Sequence, residues 1–414
     1  MGIEPDDSVS PRILQKIAYA GTHATSFRQA EQDLKELAEA EISSQRIARA
    51  TKGIGQERVA QREAEVERWD ALPLPAKQTA PEGCLPPPVA CVEMDGGRVQ
   101  IRDEAFGKPK SEQEPSDEDS SPKGRFWRET KVGSLMSLAS EVSQADPCPE
   151  IPRVFVDPGK IRQIAREIKG VCVPGQEPCP SSEAASTDRK GRPEVLVRTV
   201  VATREKLGVF GPLLAAAAWA RGFAAASRKA FVGDGQEANW SVHQKYFSHY
   251  TAILDFVHAI CYVFAAAMAG RSLREGWPIY CRWAQWTWSG EVEKVLEELR
   301  QHQQALGLPD EDEAEESPRQ KVADAIRYLQ NQKSRMKYDE YRRQGLPITS
   351  SHIESTIKQI NRRVKGSEKF WSQGGADALL QLSADYLSET KPLSAFWRRR
   401  QEDATGQRHY QTAP

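Results

Sequence analysis

The chain has 414 residues with 57 Lys+Arg against 58 Asp+Glu, a net charge of −1 that by itself points to no nucleic acid, membrane or acidic partner. A hydrophobic share of 39% is enough for a core, while 28% charged residues and 26 prolines put part of the chain in loops and linkers, so a wholly disordered or collagen-like protein is excluded. The longest apolar stretches, 213–226 and 259–269, fall short of the ~18 residues of a membrane span. Met1 to Ser10 carries Glu4, Asp6 and Asp7 without an apolar run, and the seven cysteines form no C-x-x-C pair. The expectation is a cytoplasmic protein with reduced thiols and no membrane partner.

Residues 1–72 read as helices. Ile42 to Ala50 forms one, capped by Ser43 or Ser44; Gly53-Ile54-Gly55 breaks the pattern; a second runs from Gln56 to about Arg68. That outline predicts a helix-turn-helix with Arg58, Gln61 and Arg62 on one face, free to meet DNA, although a plain helical hairpin has the same pattern. Residues 73–88 hold six prolines and mark a linker. Val89 to Met94 predicts a strand, Asp95-Gly96-Gly97 a turn and Arg98 to Arg102 a return strand. Lys108 to Lys123, rich in Ser, Pro and acids, predicts a disordered loop, and Phe126 to Leu138 another strand.

Residues 139–193 read as an insertion around one helical patch, Lys160 to Ile168. Strands at Val195 to Val201, Lys229 to Val232 and Tyr250 to Leu254 alternate with helices at Glu205 to Ala226 and Gln236 to Phe247. This order predicts a mixed α/β sheet. Residues 256–344 are helical apart from an acidic hinge at Leu308 to Ser317, and Trp277, Trp283, Trp286 and Trp288 read as that insertion's own small core. Ser350 to Arg363 and Ala376 to Glu389 are the last helices.

Three acids stand out by position. Asp95 and Asp234 end predicted strands beside glycines, and Glu354 lies in the first turn of a helix. The carboxyl ends of strands in α/β sheets are where ligands gather. Three carboxylates at one point repel one another unless cations neutralise them, and hard oxygen ligands select Mg²⁺ or Mn²⁺. Two such ions would support phosphoryl transfer on nucleic acid. Singly, each acid also fits a bland role, as a turn residue or a helix-dipole partner.

The company of these acids is more specific. Val92 to Arg102 (Val-Glu-Met-Asp-Gly-Gly-Arg-Val-Gln-Ile-Arg), Trp127 to Gly133, Gly233-Asp234-Gly235, Ile253 to Ala259, Gly345 to Lys358, Arg362 to Ser367 and Phe370-Trp371-Ser372 together resemble, in order, insertion-sequence DDE transposases of the ISKra family, relatives of the Mutator-type enzymes. The resemblance implies an RNase H-like catalytic core over 89–255 and 345–414, with loop insertions at 103–123 and 139–193 and a helical insertion at 256–344. It implies that Asp95, Asp234 and Glu354 are the metal-binding and catalytic acids, holding two Mg²⁺ or Mn²⁺ ions. Its expected partners are the terminal inverted repeats and target DNA, and a homodimer or larger synaptic assembly.

Glu354, Lys358 and Arg362 share one helix face, so the two bases could hold phosphates or form a solvated ion pair. Arg363 and Lys365 extend this basic run. Asp255 and His258 read as supporting residues of the site or as a cap and a packed ring, with His352 in the same supporting set; Trp240 and Trp371 read as base-stacking groups or core. Residues 318–366 hold 12 Lys+Arg against 4 Asp+Glu, which predicts a basic stripe for DNA. Two further readings stay open: an RNase H-like nuclease without strand transfer, and a domesticated or decayed DNA-binding protein that no longer cuts.

Overall fold

A computed structural model describes residues 9–102, 126–169, 192–366 and 368–405. The disordered loop expected at Lys108 to Lys123 and much of the 139–193 insertion lie outside these residues. In chain order the elements are α1 (Pro11–His23), α2 (Phe27–Ala38), α3 (Ser44–Asp70), α4 (Leu74–Lys77), β1 (Val89–Ile101), β2 (Trp127–Ala139), α5 (Pro158–Lys169), β3 (Glu194–Thr203), α6 (Leu207–Ala220), β4 (Arg228–Gly233), α7 (Glu237–Tyr246) and β5 (Thr251–Leu254). There follow α8 (Phe256–Met268), α9 (Leu273–Trp288), α10 (Val292–Leu306), α11 (Pro318–Gln332), α12 (Tyr338–Arg343), α13 (Ser351–Val364), β6 (Phe370–Trp371), α14 (Gln373–Leu387) and α15 (Pro392–Thr405). Among the described residues no helix is long and apolar enough to cross a membrane, and Cys84, Cys91 and Cys281 are free thiols.

The expected mixed α/β sheet is present. Its strands run in the order β3-β2-β1-β4-β5, with β6 pairing the far end of β1. β1 pairs antiparallel with β2 and β2 with β3, whereas β4 and β5 run parallel to β1. Alternation along β1 divides the core. Ala90, Val92 and Met94 face α6, while Val89 and Cys91 face α8. Further along that second face Val99 and Ile101 pack under α13 and α14. One face of β1 is therefore covered end to end, by α8 over its start and by α13 with α14 over its end.

The expected hairpin at Asp95-Gly96-Gly97 does not form: β1 is one strand of 13 residues and continues straight through the glycines to pair with β2. Gly97 serves packing instead. A Cβ there would lie 2.8 Å from Thr130 Oγ1 and within 4.0 Å of Asn361 and Ile357, so its absence lets α13 settle on the strand.

The helix-turn-helix does not form either. α3 is a single helix of 27 residues, with Ser43 as its cap, running through Gly53 and Gly55. At Gly55 a Cβ would stand 2.5 Å from Ala378 O, so this glycine marks the close crossing of α3 and α14 rather than a break. α1, α3, α14 and α15 share a core of Ala18, Ile54, Leu382, Leu393, Phe396 and Trp397, which ties the N-terminal helices to the C-terminal ones.

The tryptophan-rich helices make no separate core. Trp283 and Trp288 are buried in the cluster that contains Val89 and Phe256, and Trp277 and Trp286 pack at its margin. Phe155, Ile161 and Ala165, from the region read as an insertion, are buried there too.

Candidate active site

Register brings the acids together. β1 and β4 pair Glu93 with Val232, so two residues on, Asp95 stands level with Asp234 just beyond the end of β4. β4 and β5 pair Gly233 with Leu254, which sets Asp234 level with Asp255. Adjacent strands lie roughly 4.8 Å apart, so three aspartates line up across the sheet where β4 and β5 end and β1 continues. Asp95 is thus not at a strand end, as its glycines suggested, but at the level where its parallel neighbours stop.

The α8 and α13 helices begin at this line. Asp255 caps α8, accepting from Val257 N at 2.9 Å, from His258 Nδ1 at 2.8 Å and from Ser350 Oγ at 2.5 Å. Ser350 immediately precedes α13, whose first turn carries Glu354. Two helix N-termini, each a partial positive charge, therefore point into the acids. Asp255, His258 and Glu354 each offer an atom within 4.8 Å of the others. Asp255 is fully buried and both its oxygens are already engaged, so it acts on His258 rather than as a free ligand.

Electrostatics register the crowding. Burial, with the field of Asp234 against the Gly96 N–H bond, raises Asp95 above the usual carboxylate range. Burial and Asp255 raise Glu354. Burial opposes charge on His258, but the hydrogen bond and field of Asp255, with Asp234 and Glu354, outweigh it and raise the imidazole to about 8. The donor set is carboxylate oxygens with one imidazole, concentrated negative charge that fits a hard divalent cation.

Asp234 is held from two sides. Its Oδ1 accepts from Gln236 N at 2.9 Å and from the buried Asn239 amide at 2.8 Å. Its carbonyl accepts from Tyr328 on α11 at 2.6 Å, and Gln332 donates to Gly235 O at 3.1 Å. Gly235 has φ +97°, and a Cβ on it would fall 2.7 Å from the Tyr328 ring. The helical insertion thus sets the turn that presents Asp234, and Tyr262 stacks on Tyr328 at 3.7 Å.

One acid was missed from sequence. Glu93 shares a face with Asp95 two residues away and is fully buried. One of its oxygens accepts from Ile353 N at 3.1 Å, at the start of α13, and the other has no hydrogen-bond partner. Burial, then Asp255 and Glu354, push its carboxyl well above the usual range. The i, i+2 spacing from Asp95 was the available signal, hidden because the residue sits in an ordinary strand pattern.

Several expected DNA contacts are placed elsewhere. Arg58 and Arg62 are buried: Arg58 pairs with Asp385 at 2.9 Å, and Arg62 donates to Ala202 O and Gln381. Arg363 is buried too, donating to Gly21 O and lying over Phe27 and Trp371. Trp371 is buried with its indole N–H on Val364 O, so it is core. Trp240 is half-buried beneath Arg335, between two core clusters. His352, Lys358, Arg362 and Lys365 are exposed, and Lys358 pairs with Glu167 at 3.2 Å.

The basic stripe largely dissolves in three dimensions. Arg319, Lys321, Lys333, Arg342 and Lys358 pair with Asp310 and Glu313, Glu316, Glu293, Asp146 and Glu167, acids from outside the counted block. Arg327, Lys337 and Arg343 find partners within it.

No protein-family model matches the chain, and no curated protein is significantly similar to it.

Proposed function

We propose that the chain is a DDE transposase with an RNase H-like core, cleaving DNA and joining the ends of an insertion sequence to target DNA. The observation that supports this reading is that strand register sets Asp95, Asp234 and Asp255 level across the sheet, while Asp255, His258 and Glu354 offer atoms within 4.8 Å of one another at two helix N-termini. The RNase H-like reading rests on an opening strand bearing the first acid, a later parallel strand ending at the second, and a helix bearing the third.

Asp95, Asp234 and Glu354 would hold Mg²⁺ or Mn²⁺, which supply activation of a water or 3′-hydroxyl and stabilisation of the leaving oxygen of a phosphodiester. Asp255 fixes the tautomer and orientation of His258 beside Glu354. Tyr328, Gln332 and Asn239 hold the Asp234 turn. Lys358, Arg362 and Lys365 lead away from Glu354 along α13 and its end, where they would position backbone phosphates. The pair between Lys358 and Glu167 is exposed on both sides, so a phosphate can replace the carboxylate at little cost. Synapsis of two DNA ends implies a homodimer or larger assembly in the cytoplasm.

The test is incubation of purified protein with DNA carrying the sequences that flank its gene, in Mg²⁺ or Mn²⁺. Expected are nicked ends and joined products, both lost in Asp95→Ala and Glu354→Ala. Cleavage without joined product would make it a nuclease, and variants that cut like the parent would overturn the site.

A further inference from the structure

At the outer edge of the sheet, along β3 and away from the acids, α3 and α6 wall a cavity of about 470 Å³. This is within the roughly 300–1,000 Å³ of small-molecule sites. Val66, Trp69, Leu72, Leu213, Ala217 and Trp219 give it apolar walls. Its base is charged. Arg58 is paired with Asp385, whereas Arg62 and Arg221 make no direct ion pair among the described residues: Glu63, Asp377 and Asp385 act on Arg62, and Glu389 on Arg221, only through their fields. Arg62 donates only to Ala202 O and Gln381, and Arg221 to Leu135 O, Val197 O, Ser137 and Thr199, all neutral acceptors. Burial accordingly lowers both guanidinium pKa values from their usual level. Glu65 stands exposed at the rim, where water screens it.

Buried guanidinium without an acid is costly unless an anion completes it. Edge coverage explains why donors are there: Arg62 and Ser388 satisfy outward backbone groups of β3. Neutral donors such as Ser388 would suffice for that task, and it leaves the charge of Arg62 unexplained. We propose that this cavity binds a small organic carboxylate, its apolar body between Trp69, Leu213 and Trp219 and its head on the Nε–Nη2 side of Arg62, since both Nη atoms of Arg221 already donate twice. Guanidinium and carboxylate pair through two parallel hydrogen bonds, which gives the head its preference over a neutral group.

The test uses fluorescence of 1-anilinonaphthalene-8-sulfonate bound to the full chain, displaced by decanoate or by decanol. Decanoate is expected to displace the dye at about ten-fold lower concentration than decanol, in line with a hydrogen bond to a charged group. Arg62→Gln should erase that preference. Ala217→Phe, which fills the apolar part, should weaken decanoate by about ten-fold while the melting temperature shows a folded chain. Equal displacement by decanol overturns the proposal, as does a folded Ala217→Phe that binds decanoate like the parent. Asp95→Ala should bind decanoate unchanged, which separates this site from the acids.

Discussion

Removing one partner of the Arg58–Asp385 pair tests whether α3 is a DNA-reading element or a structural one. The two side chains are 7% and 5% exposed and meet through two hydrogen bonds, Nε to Oδ2 at 2.9 Å and Nη2 to Oδ1 at 3.3 Å. Breaking a buried pair from one side leaves an uncompensated charge and costs about 3–5 kcal/mol. Arg58→Met and Asp385→Leu should each destabilise by about that much in urea unfolding followed by circular dichroism. The double variant, with no stranded charge, should lose less than the sum, with a coupling of about 1–3 kcal/mol. DNA affinity of the folded fraction should not change. Additive single effects would refute the pairing argument. A stable Arg58→Met that loses DNA binding would restore the helix-turn-helix.

Gly53 has nothing within 4 Å of its missing Cβ, so Gly53→Ala inside a continuous α3 should stabilise by up to about 1 kcal/mol, whereas at a turn it would destabilise. Gly55→Leu, driven against Ala378, should cost about 1–3 kcal/mol or more on the same denaturation assay. Tyr328→Phe deletes the bond to Asp234 O and should cost about 0.5–1.5 kcal/mol while weakening Mn²⁺ binding, read by calorimetry; unchanged binding would separate α11 from the site. His258, raised to about 8 from 6.5, contributes stability that is fully present below about pH 6.5 and lost as pH rises through about 8. The effect is worth roughly 2 kcal/mol, and NMR titration of metal-free protein should show Asp255→Asn pulling the value down.

The strands and most helices were legible because their periodicity agreed with their burial: β2, β4, β5, α7 and α13 lie close to where alternation and helical spacing put them. Glycine misled twice, since Gly55 and Gly97 mark close approaches of helix to helix and helix to strand, and a single sequence does not separate such a contact from a turn. Asp95, Asp234 and Glu354 were visible through their glycines and their position in a first turn. Glu93 was not, because its significance depends on α13 arriving over β1 from 260 residues away. Counting charge along residues 318–366 failed for the same reason: the neutralising acids Asp146, Glu167 and Glu293 come from other parts of the fold.

Mn²⁺ binding to the purified chain, by isothermal calorimetry, addresses the proposed centre most directly. Asp95→Asn, Asp234→Asn and Glu354→Gln should each weaken it by about ten-fold or more with the fold intact, as loss of a ligand or its support does. A parent that binds no Mn²⁺, or three variants that bind it as the parent does, would contradict a shared metal centre at these acids.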